Sequence, residues 1–279
     1  MLLRWIFILC AVLVRAPLFA DASLFPRRGL YFEGTVGAGF GSASMLTDAG
    51  SVTSTSYFDS TANTAAVNRS GTGVVNSNHF TFGAKAGKDW LHKSLVWGLV
   101  SDLSLFKQTA VLDASGTYPS GGGGYSLRTV VNTNWLLTLR GRAGLPVRIF
   151  AQGIFYATAG LAFADLNIES TFIDDTELTG SGTNELAGTQ LGWTVGGGFE
   201  FEMDRDFSLN AEYLYADFSG AVSGSIANSA AGFGTPANSL SSTFTSRADF
   251  HSHVVRVGVV YRFNGAADAE TTEGEKKPD

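Results

Sequence analysis

The side chains best placed to do chemistry in this chain are charged residues set inside apolar runs: Glu33, Lys85, Asp102, Arg140, Arg142, Glu200, Glu202, Glu212, Arg256 and Arg262. Each is flanked by apolar or small neighbours, as in Phe32-Glu33-Gly34 and Val255-Arg256-Val257. In an extended chain those neighbours point one way and the charge the other. Five cations (Lys85, Arg140, Arg142, Arg256, Arg262) therefore share a face with five carboxylates (Glu33, Asp102, Glu200, Glu202, Glu212). Unpaired charges away from water are very costly, so an equal balance predicts interlocked ion pairs in a narrow interior. Packing of that interior is the plain role of the set, and a conducting path is the sharper one.

Other reactive constellations are sparse. His251-Ser252-His253 sets a hydroxyl between two imidazoles, but strand alternation sends both histidines to one face and Ser252 to the other. Nucleophile and base then cannot meet. The pattern implies histidines at an outer rim, so no catalytic residue is assigned and no enzyme is expected. A haem ligand would come from His or Tyr in the loops. Of the four histidines, His79 and His251 stand at expected loop borders, His253 just inside, and His92 in a short turn. No cofactor and no metal site is assigned. The one cysteine, Cys10, lies in the N-terminal apolar run, which leaves the mature chain without a disulfide or a thiolate-ligated metal. The glycine run Gly121 to Gly124 lacks the following helix start that a phosphate site wants, and reads as a flexible loop.

The elements that must position the charges are strands. Leu191, Trp193, Val195, Phe199 and Phe201 fall on one face, with Thr194, Glu200 and Glu202 on the other. After the turn Met203 to Asp206 the pattern restarts with Phe207, Leu209, Ala211, Tyr213 and Tyr215 against Ser208, Asn210 and Glu212. This hairpin has a wide apolar face ending in aromatics and an opposite face of glycines and carboxylates. A soluble sandwich would bury the first, whereas a membrane barrel sets it against lipid and packs the second inside.

Composition favours the barrel. The chain of 279 residues has 34 glycines, only 16% charged residues and 44% hydrophobic ones. No mature segment approaches the roughly 18 consecutive apolar residues of a spanning helix. A net charge of -6 and a pI of 5.2, with no basic cluster, give nucleic-acid binding no electrostatic support. At the N-terminus Arg4, the apolar run Trp5 to Val14, and Ala20-Asp21-Ala22 fit a secretory signal peptide over 1–22.

The same alternation marks further strands: Leu30–Phe40, His79–Asp89, Leu95–Phe106, Val130–Ala143, Ile149–Ile168 and His251–Phe263. The stretches Gly41–Asn78, Lys107–Arg128, Glu169–Thr189 and Ser219–Phe250 are rich in Ser, Thr, Asn, Ala and Gly and read as long loops. Short connections are expected at Trp90–Ser94, at Leu145-Pro146 and at Met203–Asp206. Eight strands with long and short connections in alternation predict an all-β, eight-stranded antiparallel up-and-down transmembrane barrel over 23–263, with both termini on the short-turn side. The polar tail 264–279 is expected to hang disordered in the periplasm.

Four segments carry a resemblance to a known family: Trp135–Gly144, Gly192–Phe199, Phe207–Phe218 and His253–Phe263. Together they resemble the small outer-membrane β-barrel proteins of alphaproteobacteria, the Omp25/Omp31/RopB-like porin family. The resemblance covers the last five strands well and the first three more loosely. It implies the bacterial outer membrane, a Gram-negative envelope, exposed loops and a structural or porin-like role, with haemin binding in some relatives and no active site. It also implies that Val257, Val259, Tyr261 and Phe263 form the signal read by the barrel-assembly machinery. Family members usually finish at the aromatic residue matching Phe263, and the tail 264–279 departs from that pattern. The functional readings are thus a structural or surface role in the envelope, a passive porin for small solutes, or a haemin-binding or adhesive surface protein. The partners that follow are outer-membrane lipid and lipopolysaccharide, the assembly machinery and, through the tail, the cell wall.

Overall fold

The computed structural model describes residues 29–52, 58, 60–148, 152–174, 181–230 and 240–263. The expected signal peptide 1–22 and the tail 264–279 lie outside them. The strands are β1 (Gly29–Asp48), β2 (Gly73–His92), β3 (Leu95–Thr117), β4 (Gly124–Arg148), β5 (Gln152–Asp174), β6 (Ser181–Glu202), β7 (Phe207–Ala230) and β8 (Leu240–Arg262). Each pairs antiparallel with the next, and β8 closes on β1 through pairs such as Val36↔Val257. Over the belted half the ring has no free edge, so its backbone hydrogen bonds are satisfied within the wall, whereas higher up β2 and β3 part beyond Thr81↔Phe106 and β6 and β7 part beyond Trp193↔Asp217.

The strands are far longer than a bilayer needs. At 20 to 25 residues each they rise roughly 50 to 60 Å along a tilted barrel axis, against an apolar band of about 25 Å. The four expected long loops are accordingly corrected to strand over much of their length: β1 runs on to Asp48, β3 to Thr117, β5 to Asp174 and β7 to Ala230. Their periodicity is faint because this upper half inverts the pattern. Ser44, Asn78, Lys107 and Arg247 point outward, while Ala43, Met45, Ala110 and Ala248 point inward. Small apolar against small polar is a weak contrast.

Two connections also differ from expectation. Leu145 and Pro146 lie in the β4–β5 ladder, with Pro146 opposite Ile154 near the strand end, where a missing N–H is tolerated. Trp90, Leu91 and His92 belong to β2, and the turn is confined to Lys93-Ser94, with Lys93 at φ 55°.

A helix, α1 (Thr61–Ser70), sits at the upper mouth where only loop was expected. Ser60 caps it by accepting from the Asn63 amide at 3.2 Å, a contribution of about 1 kcal/mol. Its weak amphipathicity hid it, since Val67 is its one fully buried aliphatic. Val67 packs with Phe58, Tyr118, Tyr125, Leu127 and Phe172 to cover the mouth.

Around the lower half runs an exposed apolar belt that includes Phe32, Val36, Phe82, Leu99, Leu139, Leu161, Trp193 and Val257. Aromatics gather at both of its edges. Trp90 stacks on Trp97 at 4.5 Å and Phe207 meets Tyr261 at 5.3 Å near the short turns, while Trp193 meets Tyr215 at 5.4 Å on the opposite side.

Candidate functional site

The interior of the belted half holds the charged residues. Glu33 and Lys85 are direct cross-strand partners, as are Lys85 and Asp102, and Glu212 and Arg256. The same register that turns Phe32, Leu103 and Val257 outward therefore delivers their neighbours to one level inside.

The charges form two clusters. In the upper one Lys85 bridges Glu33 at 2.9 Å and Glu212 at 3.0 Å. Arg140 bridges Asp102 at 2.5 Å and Glu212 at 2.9 Å. Arg256 bridges Asp102 at 2.8 Å and Glu212 at 2.5 Å. In the lower cluster Arg142 reaches Glu200 at 2.7 Å and Asp89 at 3.4 Å, and Arg262 reaches Glu200 at 2.9 Å and Asp89 at 3.0 Å. Three cations meet three carboxylates above, and two meet two below, so each cluster is neutral on its own.

Neutral side chains complete the donors. Arg140 donates to Thr138 and Thr158, and Arg256 donates to Ser104. Tyr156 ties the two levels together: its ring lies 3.9 Å from the Arg142 guanidinium while its hydroxyl donates to Asn210 at 2.8 Å. Asn210 in turn donates to Glu33 at 2.8 Å. Tyr31 lies against Arg262 at 4.7 Å from the lower side. Space is tight, because a Cβ at Gly258 would overlap the Glu33 side chain and one at Gly87 would overlap the Tyr31 ring.

Nine of the ten charges read from the sequence meet in these clusters. Glu202 does not: it falls on the inward face one position nearer the β6–β7 turn, half-buried and outside both clusters. The fifth carboxylate is Asp89 instead, fully buried beneath Arg142 and Arg262. Sequence reading missed it because Asp89 sits where β2 was expected to end. Its place in the two-residue series Lys85, Gly87, Asp89 was the available signal. Val257, Val259, Tyr261 and Phe263 all point outward on the belt. His251 and His253 also face outward, bonded to Asp217 and Tyr213, while Ser252 faces the interior. His79 is no loop-border residue; it is buried inside, stacked on Phe106 at 4.4 Å.

Above the clusters the filling changes. Met45, Phe106, Val131, Leu136, Leu214, Phe218, Phe250 and Val254 form a continuous apolar core across the barrel. Below, Val96, Val100, Ile154 and Val260 line the short-turn end with Tyr31 and Tyr156. The sequence reading set charges, glycines and small polar residues inside, and the upper half is apolar because there the outside faces water and the inside must serve as core. Among the described residues no group of three or more His, Cys, Asp or Glu is placed to hold a metal ion.

A family model described as the outer membrane protein beta-barrel domain matches residues 33–263. The 31 kDa outer-membrane immunogenic protein of Brucella melitensis is 27% identical over 195 residues, 70% of each chain. The 22 kDa outer membrane protein of Rhizobium leguminosarum bv. viciae is 30% identical over 151 residues, 52% of this chain and 58% of that one. Among solved structures, the outer membrane protein OprG from Pseudomonas aeruginosa covers 85% of this chain and 98% of its own at 12% identity, with a TM-score of 0.38.

Proposed function

The chain belongs to the outer-membrane β-barrel family and is a protein of the Gram-negative outer membrane, and from that premise we propose that it is a sealed barrel with a structural and surface-presenting role in the envelope. The observation that carries the reading is the filled interior: two neutral clusters of buried ion pairs below, an apolar core above them, and α1 over the mouth. A passive porin needs a continuous wet path, and no level of this interior favours one. Eight strands enclose a space that side chains can fill.

The belt provides the lipid contact, with lipopolysaccharide around its upper aromatic edge. The outward row Val257, Val259, Tyr261 and Phe263 suits reading by the assembly machinery. The separation of Ser252 from His251 and His253 supports a non-catalytic role. Single-channel recording of the purified full chain in planar bilayers tests the proposal. Little or no conductance is expected, and large steady channels would refute it.

A further inference from the structure

Inside the apolar core lies a polar level that belongs neither to it nor to the charged clusters. It is lined by His79 on β2, Gln108 on β3, Thr133 on β4 and Ser252 on β8, which retain 8%, 2%, 1% and 1% of their exposure. The register brings them together. Ser252 is paired with Gly41, and Gln108 with Thr133. His79 and Gln108 each stand two residues beyond the last β2–β3 pair, Thr81↔Phe106. The two glycines of β1 draw the level tighter: a Cβ at Gly41 would overlap the Gln108 amide, and one at Gly39 would overlap the His79 ring. Both polar side chains thus lie flat against a wall that has no side chains of its own, beside the Ser252 hydroxyl.

These side chains carry six buried polar atoms that no protein group satisfies: both ring nitrogens of His79, both amide atoms of Gln108, Thr133 Oγ1 and Ser252 Oγ. A dry arrangement of this kind would cost about 1 to 3 kcal/mol per group, and protein interiors rarely sustain it. The set contains donors and acceptors but no net charge, which suits a neutral hydrogen-bonding molecule and not an ion. Buried water makes about three hydrogen bonds per molecule, so six atoms call for about two waters.

We propose that this level is an internal hydration site, a small water cluster held by His79, Gln108, Thr133 and Ser252. Ala110, Val131 and Phe250 of the apolar core close it above, and Phe106, Leu136 and Val254 separate it from the Arg256 level below. The inference rests on the sealed-barrel reading, because in an open lumen the same atoms would meet bulk water.

Water-to-protein cross-relaxation by NMR, on the full chain folded in lipid nanodiscs, tests it alongside the conductance measurement. Slowly exchanging water at the Gln108 side-chain amide and at the Gly39, Gly41 and Ser252 amides is expected, with none at Leu214, which pairs with Val254 one inward position below Ser252, or at Phe218, which pairs with Phe250 one inward position above it. The double variant Gln108→Leu with Ser252→Ala should lose most of that signal while keeping the wild-type unfolding midpoint, since apolar groups then replace a hydrated set. Absence of water signal in a non-conducting wild-type barrel overturns the hydration site alone. Bulk-like water at this level in a conducting barrel overturns both readings.

Discussion

Arg140 has no route to water. Its guanidinium is held by Asp102, Glu212, Thr138 and Thr158, and its side chain is fully buried. Removing it would strand two carboxylates at a level where Lys85 and Arg256 must serve three. Arg140→Ala is therefore expected to destabilise the folded barrel by about 3 to 5 kcal/mol. Arg128 gives the contrast, because it also makes a two-pronged pair, to both oxygens of Asp113 at 3.0 Å, yet both side chains remain more than half exposed. Arg128→Ala should cost less than about 1 kcal/mol, since water screens such a pair and replaces it cheaply. Urea unfolding of both variants in lipid vesicles checks the difference, and equal losses would mean that the interior is wet.

At the scale of the strand, each element changes polarity along its length. β8 shows it plainly: Val255, Val257 and Val259 face out beside inward Arg256, whereas higher up Arg247 faces out beside inward Ala248. One alternation thus serves two solvents, lipid below and water above. Val257 lies in the belt between Val36 and Ala211, so Val257→Arg should destabilise by roughly 2 to 4 kcal/mol in bilayers. Ser44 is exposed on the outward face of the water-side half, and Ser44→Arg should change stability by no more than about 0.5 kcal/mol. Vesicle unfolding of the pair reads out where the belt ends.

The whole molecule is a closed ring with one short helix among the described residues. Its circular dichroism in detergent should be dominated by strand, to which the described residues add only the ten-residue helix α1. Because closure leaves the belted half no edge from which unfolding can spread, the folded chain should resist unheated detergent and migrate differently on gels before and after boiling. A largely helical spectrum, or mobility indifferent to heating, would contradict the closed barrel.

The sequence alone determined the strand count, the up-and-down order and the two faces of the belted half. There Phe, Leu, Val and Trp alternate with charges, and lipid outside against ion pairs inside is the strongest contrast a strand can carry. It also placed nine of the ten clustered charges, since alternation selects the face without any knowledge of partners. Only the tertiary structure decided that Asp89 and not Glu202 completes the balance, because which carboxylate lies under Arg142 and Arg262 depends on the stagger between β2, β4, β6 and β8. The same holds for the long upper strands and for the level of His79, Gln108, Thr133 and Ser252. Their small or isolated polar residues carry little periodic signal, and their meaning comes from neighbours brought across the ring by register.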